Sequence, residues 1–246
     1  MTFIKTPFGI TLFLSVLCVK IPCMPHTAQQ VYRHLFKSLG PQGWWPGDSP
    51  FEVMVGAVLV QNTSWKGVER AIKNLKQAKV LTARKLYALP TEELSEFIRT
   101  AGYFRIKAKR LHNLVKFFVE RYRGSVAAMR KVDTQELRAQ LLAVNGIGPE
   151  TADSILLYAV GKPVMVVDTY THRIFARHGW VPHGTAYHPL QAHLTGQLPI
   201  DAIVYNEFHA LLVHVGHHYC SPVPRCESCP LRQMLPASGM VLDECR

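Results

Sequence analysis

The chain has 246 residues, which is enough for one large domain or two smaller lobes, and 48% of them are hydrophobic, so a sizeable core can be buried. Lysine and arginine number 28 against 17 acidic residues, which gives a formal net charge of +11. The basic residues are spread along the chain, which argues against a disordered basic arm. We therefore expect a folded basic face and a polyanionic partner, either nucleic acid or an anionic membrane surface.

Residues 1–23 differ in character from the rest of the chain. Lys5 precedes an apolar run over residues 8–19, as in the charged start and apolar middle of a signal peptide, but no clean cleavage site follows. The run is also short for a membrane span. Met24 offers a second start, so we interpret residues 1–23 as a dispensable tail or a mis-assigned upstream start, with an export signal as the alternative.

From residue 24 onward the chain is predicted to be all-α, because apolar residues recur at helical spacing and no alternating strand pattern appears. Ser49-Pro50 marks one helix start, since a capping serine precedes proline at the first helical position. The helix at 107–122 should bury its apolar side chains and turn its five basic residues, Lys107 among them, to solvent. Helices are predicted at residues 27–39, 51–61, 64–75, 83–88, 92–99, 107–122, 137–142, 149–159, 186–197 and 200–216.

The stretch Asn-Gly-Ile-Gly-Pro at 145–149 lies between two apolar helices. Gly146 and Gly148 suit a tight turn in which positive φ and close backbone approach are needed. The free N–H groups at the start of the following helix favour a phosphate. Further along, an apolar run ends in Val166-Val167-Asp168-Thr169, where Asp168 is either a helix N-cap or a functional carboxylate.

The hairpin and the aspartate after it resemble those of the helix-hairpin-helix DNA glycosylases of the endonuclease III superfamily. The resemblance implies a two-lobe all-α fold with the cleft between the lobes and a glycosylase domain over 24–246. Lobe one would span about 45–155, lobe two would combine 24–44 with 156–216, and 217–246 would form an iron–sulfur-type loop.

The resemblance also implies functional roles for the hairpin and for the aspartate. Gly146, Ile147 and Gly148 would hold the backbone of double-stranded DNA. Asp168 would be the catalytic carboxylate, which stabilises oxocarbenium character at the sugar when the glycosidic bond breaks. A capping role is compatible with this function, because the cap would fix the rotamer of the carboxylate.

Glu150 departs from part of that family. In the bifunctional relatives a lysine at this position, two residues after the second glycine, forms a Schiff base with the sugar. A carboxylate cannot form an imine. The resemblance therefore implies a monofunctional enzyme, with Glu150 in the base pocket.

Trp44-Trp45-Pro46 and Trp65 suggest flat apolar walls for an extruded base, and an electron-poor alkylated purine stacks well on tryptophan. The alternative is that paired tryptophans fill a core between lobes. With the hairpin and Glu150, this pattern is similar to the endonuclease III-like 3-methyladenine DNA glycosylases.

Two further segments match positions at which the family inserts side chains into the duplex. Gln61 and Asn62 form one of them, and Tyr103 and Phe104 form the other. One side chain would fill the gap left by the flipped base and another would wedge between stacked bases. The alternatives are a polar helix end and ordinary packing.

Three closely spaced cysteines stand near the C-terminus, at Cys220, Cys226 and Cys229. Their spacing resembles the family's four-cysteine [4Fe–4S] loop, although the first gap is one residue short and Leu235 takes the fourth position. Cys245 is the remaining candidate for the fourth ligand. Closely spaced cysteines in a cytosolic enzyme favour metal over disulfides.

Two alternatives to the cluster stay open. One is zinc held by the three cysteines and either His217 or His218. The other is a degenerate loop without metal.

The function predicted from these features is base-excision DNA repair by a monofunctional glycosylase that hydrolyses the bond to damaged, alkylated purine bases. The partner would be double-stranded DNA with a flipped base, the enzyme a cytoplasmic monomer, and no membrane would be involved. The alternatives are an endonuclease III-like enzyme for oxidised or mismatched pyrimidines, and a non-catalytic helix-hairpin-helix DNA-binding protein.

Overall fold

A computed structural model describes residues 26–242, so the interpretation of residues 1–23 and the proposed ligand Cys245 lie outside the described residues. Within 26–242 every regular element is helical, which confirms the all-α prediction. None of these helices has both the length and the apolar character needed to cross a membrane. The α-helices are α1 (Ala28–Leu39), α2 (Pro50–Leu59), α3 (Trp65–Gln77), α4 (Ala83–Ala88), α5 (Thr91–Phe97), α6 (Phe104–Tyr122), α7 (Val126–Arg130), α8 (Thr134–Leu142), α9 (Pro149–Ser154), α10 (Thr169–Arg177), α11 (Tyr187–Thr195) and α12 (Ala202–His218).

Helix α9 continues as a π-helical segment, Ile155–Val160, so the second helix of the hairpin ends close to its predicted end. Short 3-10 turns occupy Arg99–Ala101, Cys226–Ser228 and Pro230–Met234. Helix α7 and these turns are too short to give a periodic signal in the sequence.

Local capping chemistry sets several helix starts. Thr27 and Gln30 form a capping box at α1, in which each side chain accepts the other's backbone N–H. Ser49 accepts the N–H of Glu52 at 3.2 Å, and Pro50 follows at the first position of α2. The start at Ser49-Pro50 agrees with the cap read from the sequence, whereas the capping box at Thr27 was not predicted.

Buried apolar side chains form two clusters. The first lies between Val53 and Val164, and the second combines α1 with the chain from Leu157 to Leu231. Tyr158 packs against both clusters, so it lies where they meet. We propose that the two clusters are the cores of the two predicted lobes.

Lys107 does not face solvent, so the prediction for this residue is wrong. It is 1% exposed, and its Nζ donates to the carbonyls of Leu59 and Ala101 at 2.7 Å each. Two buried carbonyls at chain bends need a donor, and the lysine supplies it. Burial lowers the pKa of Lys107 to about 8. Its two hydrogen bonds join the segment before Gln61 to the segment before Tyr103.

Candidate active site and DNA interface

Asp168 ends an apolar run and caps α10. Its Oδ1 accepts the N–H of Thr171 at 2.7 Å and the hydroxyl of Thr171 at 2.8 Å. The residue is 9% exposed. The cap fixes the side chain and leaves the second oxygen, Oδ2, for another partner.

The environment of Asp168 keeps its carboxylate ionised. Burial acts to raise the pKa of Asp168, but His209 and the two donors of Thr171 outweigh burial and lower it below its usual range. An ionised carboxylate near a sugar carbon can stabilise positive charge that develops there. The charge state therefore suits the predicted chemistry.

His209 is a member of this site that sequence reasoning missed. Its Nε2 lies 3.6 Å from Asp168 Oδ2 and has no hydrogen-bond partner, although the residue is only 4% exposed. Its Nδ1 is hydrogen-bonded to the hydroxyl of Tyr158. The available signal was a polar side chain in α12 between Phe208 and Ala210, on a stretch otherwise made for burial.

The predicted pocket tryptophans form one aromatic cluster with Tyr158. The ring of Trp45 lies 5.4 Å from Trp44, 5.3 Å from Trp65 and 5.2 Å from Tyr158. Pro46 follows them and is exposed. The indole nitrogen of Trp44 is close enough to the Tyr158 hydroxyl to affect its pKa but makes no hydrogen bond of acceptable geometry. The tryptophan cluster is thus connected to the Asp168 carboxylate through Tyr158 and His209.

Glu150, in the first turn of α9, lies within electrostatic range of Asp168 and His209. Its side chain reaches solvent, but the surrounding protein limits its hydration. That desolvation, followed by the negative charge of Asp168, raises the pKa of Glu150 to about 7. Two neighbouring carboxyl groups therefore have opposite tendencies, as paired acids in active sites often do.

The hairpin glycines differ from each other. Gly146 has φ +93, and a Cβ there would lie 2.2 Å from Cγ of Arg110, so both the turn and the packing require glycine. Gly148 has φ −92, and an added Cβ would meet nothing within 4 Å, so the turn uses positive φ at Gly146 and not at Gly148. Ile147 between them is buried. Packing and backbone conformation within the protein therefore do not require a glycine at 148.

Gln61 is tied to the hairpin. Its Nε2 donates to the carbonyl of Gly146 at 3.1 Å and to the Thr151 hydroxyl at 2.9 Å, and its Oε1 accepts from Arg110 at 2.7 Å. Asn62 follows with a left-handed φ of 52 and is exposed. A role for Gln61 inside the duplex would require these bonds to open, whereas Asn62 is free to reach outward.

Tyr103 and Phe104 also differ in their surroundings. Tyr103 is 71% exposed and caps α6 in a left-handed conformation. Phe104 is half-buried between the guanidinium groups of Arg99 and Arg105, at 5.1 and 5.7 Å from its ring centre. Tyr103 is thus the more accessible of the two predicted wedge residues.

A concave surface beside the hairpin carries three cations. Arg105, Lys109 and Arg110 on α6 line it together with Ile106, Asn145 and Gly146. Asn113 fixes the rim, because its Nδ2 donates to the carbonyl of Asn145 at 3.1 Å. Cations and free backbone N–H groups on one concave face are suited to a phosphate backbone.

Cys220, Cys226 and Cys229 line one cavity, and Leu235 occupies its wall at the position of the fourth family cysteine. His178 lines the same cavity. Its Nδ1 donates to the Ile174 carbonyl at 2.7 Å, while its buried Nε2 has no hydrogen-bond partner.

The cavity is lined by the three cysteines but not by the histidines of the zinc alternative. Arg177 Nη1 donates a hydrogen bond to Cys220 Sγ at 3.4 Å. Burial raises the pKa of the Cys229 thiol. His217 and His218 are exposed and do not line the cavity. Within residues 26–242 no three His, Cys, Asp or Glu side chains are arranged around a single metal ion. Cysteine sulfurs are the donors that iron–sulfur clusters use.

A helical fold with a hairpin beside a basic concave face and a capped, ionised carboxylate defines a DNA-processing enzyme. The sequence matches the model of the HhH-GPD superfamily of base excision DNA repair proteins over residues 55–199, and the chain belongs to this family. This confirms the predicted superfamily. The enzyme is a DNA glycosylase, so the alternative of a non-catalytic binding protein is not supported.

Individual relatives agree with this assignment. A Methanocaldococcus jannaschii protein named "Putative DNA repair glycosylase" is 45% identical over 206 residues, covering 83% of this chain and 93% of its own length. Endonuclease III of Thermotoga maritima is 34% identical over 184 residues, covering 74% of this chain and 81% of its own.

Solved structures give the same picture. The H. pylori 3-methyladenine DNA glycosylase bound to 1,N6-ethenoadenine is 29% identical with a TM-score of 0.68, covering 78% of this chain and 98% of its own. An endonuclease III–DNA complex is 26% identical with a TM-score of 0.72, covering 85% of this chain and 95% of its own.

The two hairpin glycines give a prediction that separates folding from DNA binding. Gly146→Ala should destabilise the protein by about 1–2 kcal/mol, because alanine is strained at this φ and collides with Arg110. Gly148→Ala should melt like the wild type but bind every duplex more weakly and with a shallower salt dependence. Thermal melting and fluorescence anisotropy at several salt concentrations measure both effects. Wild-type DNA affinity in Gly148→Ala would place the backbone contact elsewhere.

Proposed function

We propose that this glycosylase removes alkylated, positively charged purines by hydrolysis and has no lyase step. The observation that carries the proposal is Glu150, a carboxylate at the position where the bifunctional relatives have their Schiff-base lysine, lying within electrostatic range of Asp168. In the proposed reaction the bond electrons leave with the base, and Asp168 stabilises the positive charge at the sugar. Water then supplies the oxygen that completes hydrolysis.

The tryptophan cluster supports a cationic, flat substrate. Trp44, Trp45 and Trp65 offer adjacent faces, and a positively charged purine is attracted to the face of an indole. The buried Nε1 of Trp44 lacks a hydrogen-bond partner and could donate to an acceptor on the base. The likeness to a 3-methyladenine glycosylase points the same way.

The carboxylate pair adds an electrostatic reason for the same substrate class. Desolvation is the larger cause of the raised pKa of Glu150, and repulsion by the negative charge of Asp168 adds to it. A cationic purine in the pocket relieves that repulsion and favours the ionised form of both acids. A neutral damaged base gains nothing from this charge.

This charge pairing predicts a pH dependence. Because Glu150 has a pKa of about 7 in the free protein, it becomes ionised as the pH rises from 6 to 8. The preference for release of 7-methylguanine over neutral ethenoadenine should therefore increase over that range, and Glu150→Gln should remove the increase. Single-turnover rates on both substrates measure the ratio. If this ratio does not change with pH in the wild type, Glu150 does not take part in recognising the charge of the base.

Substrate choice is tested by measuring base release from duplexes that each contain one damaged base. The panel should include 3-methyladenine, 7-methylguanine, ethenoadenine, uracil and an oxidised pyrimidine. We expect the cationic purines to be released fastest. Faster release of the pyrimidines would instead favour the second candidate, an enzyme with the specificity of endonuclease III, which the 34% identical T. maritima relative supports.

We further propose that the enzyme acts as a cytoplasmic monomer on duplex DNA with a flipped base. The hairpin surface (Gly146, Ile147 and Gly148) would hold the backbone. Asn62 and Tyr103, which are exposed, would enter the duplex. Gln61 and Phe104, which are only partly exposed, would lie at its edge. Pro46 would complete the pocket rim.

We also propose that the cysteine cavity holds a [4Fe–4S] cluster ligated by Cys220, Cys226 and Cys229. The fourth ligand is either Cys245 or His178, which lines the cavity and whose buried Nε2 has no hydrogen-bond partner. Such a cluster would order the C-terminal segment, because that segment contributes little to the apolar core.

The cluster proposal predicts a brown protein with bound iron after anaerobic purification. Cys226→Ser should lose iron and colour and melt at a lower temperature. Loss of iron in Cys245→Ser but not in His178→Ala assigns the cysteine, and the reverse assigns the histidine. Iron-free, colourless wild-type protein by elemental analysis would contradict the cluster.

A further inference from the structure

The two oxygens of the Asp168 carboxylate have different partners. Oδ1 is fully engaged by the N–H and hydroxyl of Thr171 at 2.7 and 2.8 Å. Oδ2 faces Nε2 of His209 at 3.6 Å, and that nitrogen is buried without any other partner. A buried, unpaired ring nitrogen is costly, so its orientation toward a carboxylate calls for an explanation.

The other side of the imidazole is fixed by Tyr158. The Tyr158 hydroxyl is hydrogen-bonded to His209 Nδ1. If the phenol donates, Nδ1 is the acceptor and the ring proton lies on Nε2, where it points at Asp168. The other tautomer would set a lone pair against a carboxylate, which is electrostatically unfavourable. Burial keeps the pKa of Tyr158 well above its usual value, so the phenol retains the proton that it donates.

We propose that His209 is a positioning residue for Asp168, held in its donor tautomer by Tyr158, and that its Nε2–H closes onto Oδ2 when substrate enters. The separation of 3.6 Å is too long for a hydrogen bond in the free enzyme. Catalytic hydrogen bonds often tighten only in the substrate complex. Tyr158 also contacts Trp45. A base that stacks on the tryptophan cluster would therefore shift Tyr158 and, through it, His209.

The contact between His209 and Asp168 affects the protonation of Asp168. His209 and Thr171 together keep the pKa of Asp168 low despite burial. The other titratable groups that face this carboxylate are Glu150 on α9, Tyr158 on the π-helical segment and His172 on α10. Without His209, one of the two influences that lower the pKa is gone, so Asp168 should become protonated at a higher pH.

This inference rests on the proposed catalytic role of Asp168, and its test is the pH profile of single-turnover base release. His209→Leu should slow release by roughly 10- to 100-fold, the range for a hydrogen bond to a charged group, and should move the acid limb of the profile to higher pH. His209→Gln, which can place an amide N–H near the same point, should recover much of the rate. Tyr158→Phe should show the same acid-limb shift in smaller measure.

Controls separate positioning from folding and from the catalytic proposal. His217→Leu, an exposed histidine on the same helix, should behave as wild type. Binding to a duplex with an abasic analogue should stay within about threefold in all variants, because phosphate contacts carry it. If Asp168→Asn remains active, the catalytic proposal fails and the inference falls with it.

The inference itself is overturned in a different way. The result that would contradict it has two parts. Asp168→Asn is inactive, and the acid limbs of the His209→Leu and Tyr158→Phe profiles coincide with that of the wild type. If His209→Leu fails to fold, the acid limbs of His209→Gln and Tyr158→Phe decide. A shifted limb in Tyr158→Phe supports the proposal, and an unshifted one rejects it.

Discussion

Asp168→Asn should abolish base release, with a loss of roughly 10²- to 10³-fold or more, the cost of removing one group that stabilises transition-state charge. Asparagine caps helices about as well as aspartate, so the start of α10 and the fold should be retained. Binding to an abasic analogue should stay within about tenfold of wild type, since phosphate contacts elsewhere carry it. Single-turnover release and anisotropy measure the two quantities.

Asp201 provides a matched control for that substitution. It caps α12, with Oδ1 accepting from Ile203 N at 2.7 Å and Val204 N at 3.4 Å, but it is exposed. Asp201→Asn should leave release unchanged. Near-native turnover by Asp168→Asn would contradict the proposed mechanism.

Asp153→Ala should cost about 3–5 kcal/mol of stability, because it leaves a buried charge without its partner. Asp153 is 0% exposed and accepts two hydrogen bonds from Arg138, at 2.7 and 3.1 Å, and one each from Tyr187 at 2.8 Å and Gln191 at 2.7 Å. Gln191 also donates to the Met165 carbonyl at 2.6 Å. The network therefore joins the hairpin helix to the segment that ends in Asp168.

The effect of Asp153→Ala is measured by chemical unfolding. Asp48→Ala is the control, because Asp48 makes an exposed ion pair with Lys76 at 2.8 Å and should contribute no more than about 1 kcal/mol. Because the Asp153 network is buried, Asp153→Ala should lose clearly more free energy of unfolding than Asp48→Ala. Equal, small losses would mean that the chain reorganises to hydrate Arg138.

Much of the fold follows from local sequence. Helix spacing, capping residues and the Gly-x-Gly-Pro turn act over a few residues, and the structure has the predicted helices with small shifts at their ends. The position of Asp168 at a helix start could be predicted for the same reason, since an acid after an apolar run and before threonine is a local pattern. The helix-hairpin-helix superfamily was recognised from these local features.

The environment of the site could not be predicted in that way. His209 reaches Tyr158 across 51 residues of sequence, and Lys107 reaches Leu59 across 48. Such contacts depend on how distant helices pack, and no periodic pattern encodes them. A basic residue on an amphipathic helix is usually solvated, so Lys107 was placed outside, whereas two distant carbonyls hold it inside.

The hairpin shows both what the local sequence predicts and what it does not. The glycine pattern correctly located the turn, but it could not distinguish Gly146, which Arg110 and φ require, from Gly148, which stands in open space. Nor could it indicate that Gln61 is bound to the hairpin. These distinctions depend on side chains from α6 and from the turn after α2 that approach each other only in the folded protein.

The most direct test of the account is to incubate the wild-type enzyme with methylated duplex DNA and measure free base and strand breaks in the same sample, with and without alkali. Hydrolysis without a Schiff base predicts released alkylated purine and intact strands that break only after alkaline treatment. Strand breaks that accompany release without alkali, or no release of alkylated purine, would contradict it.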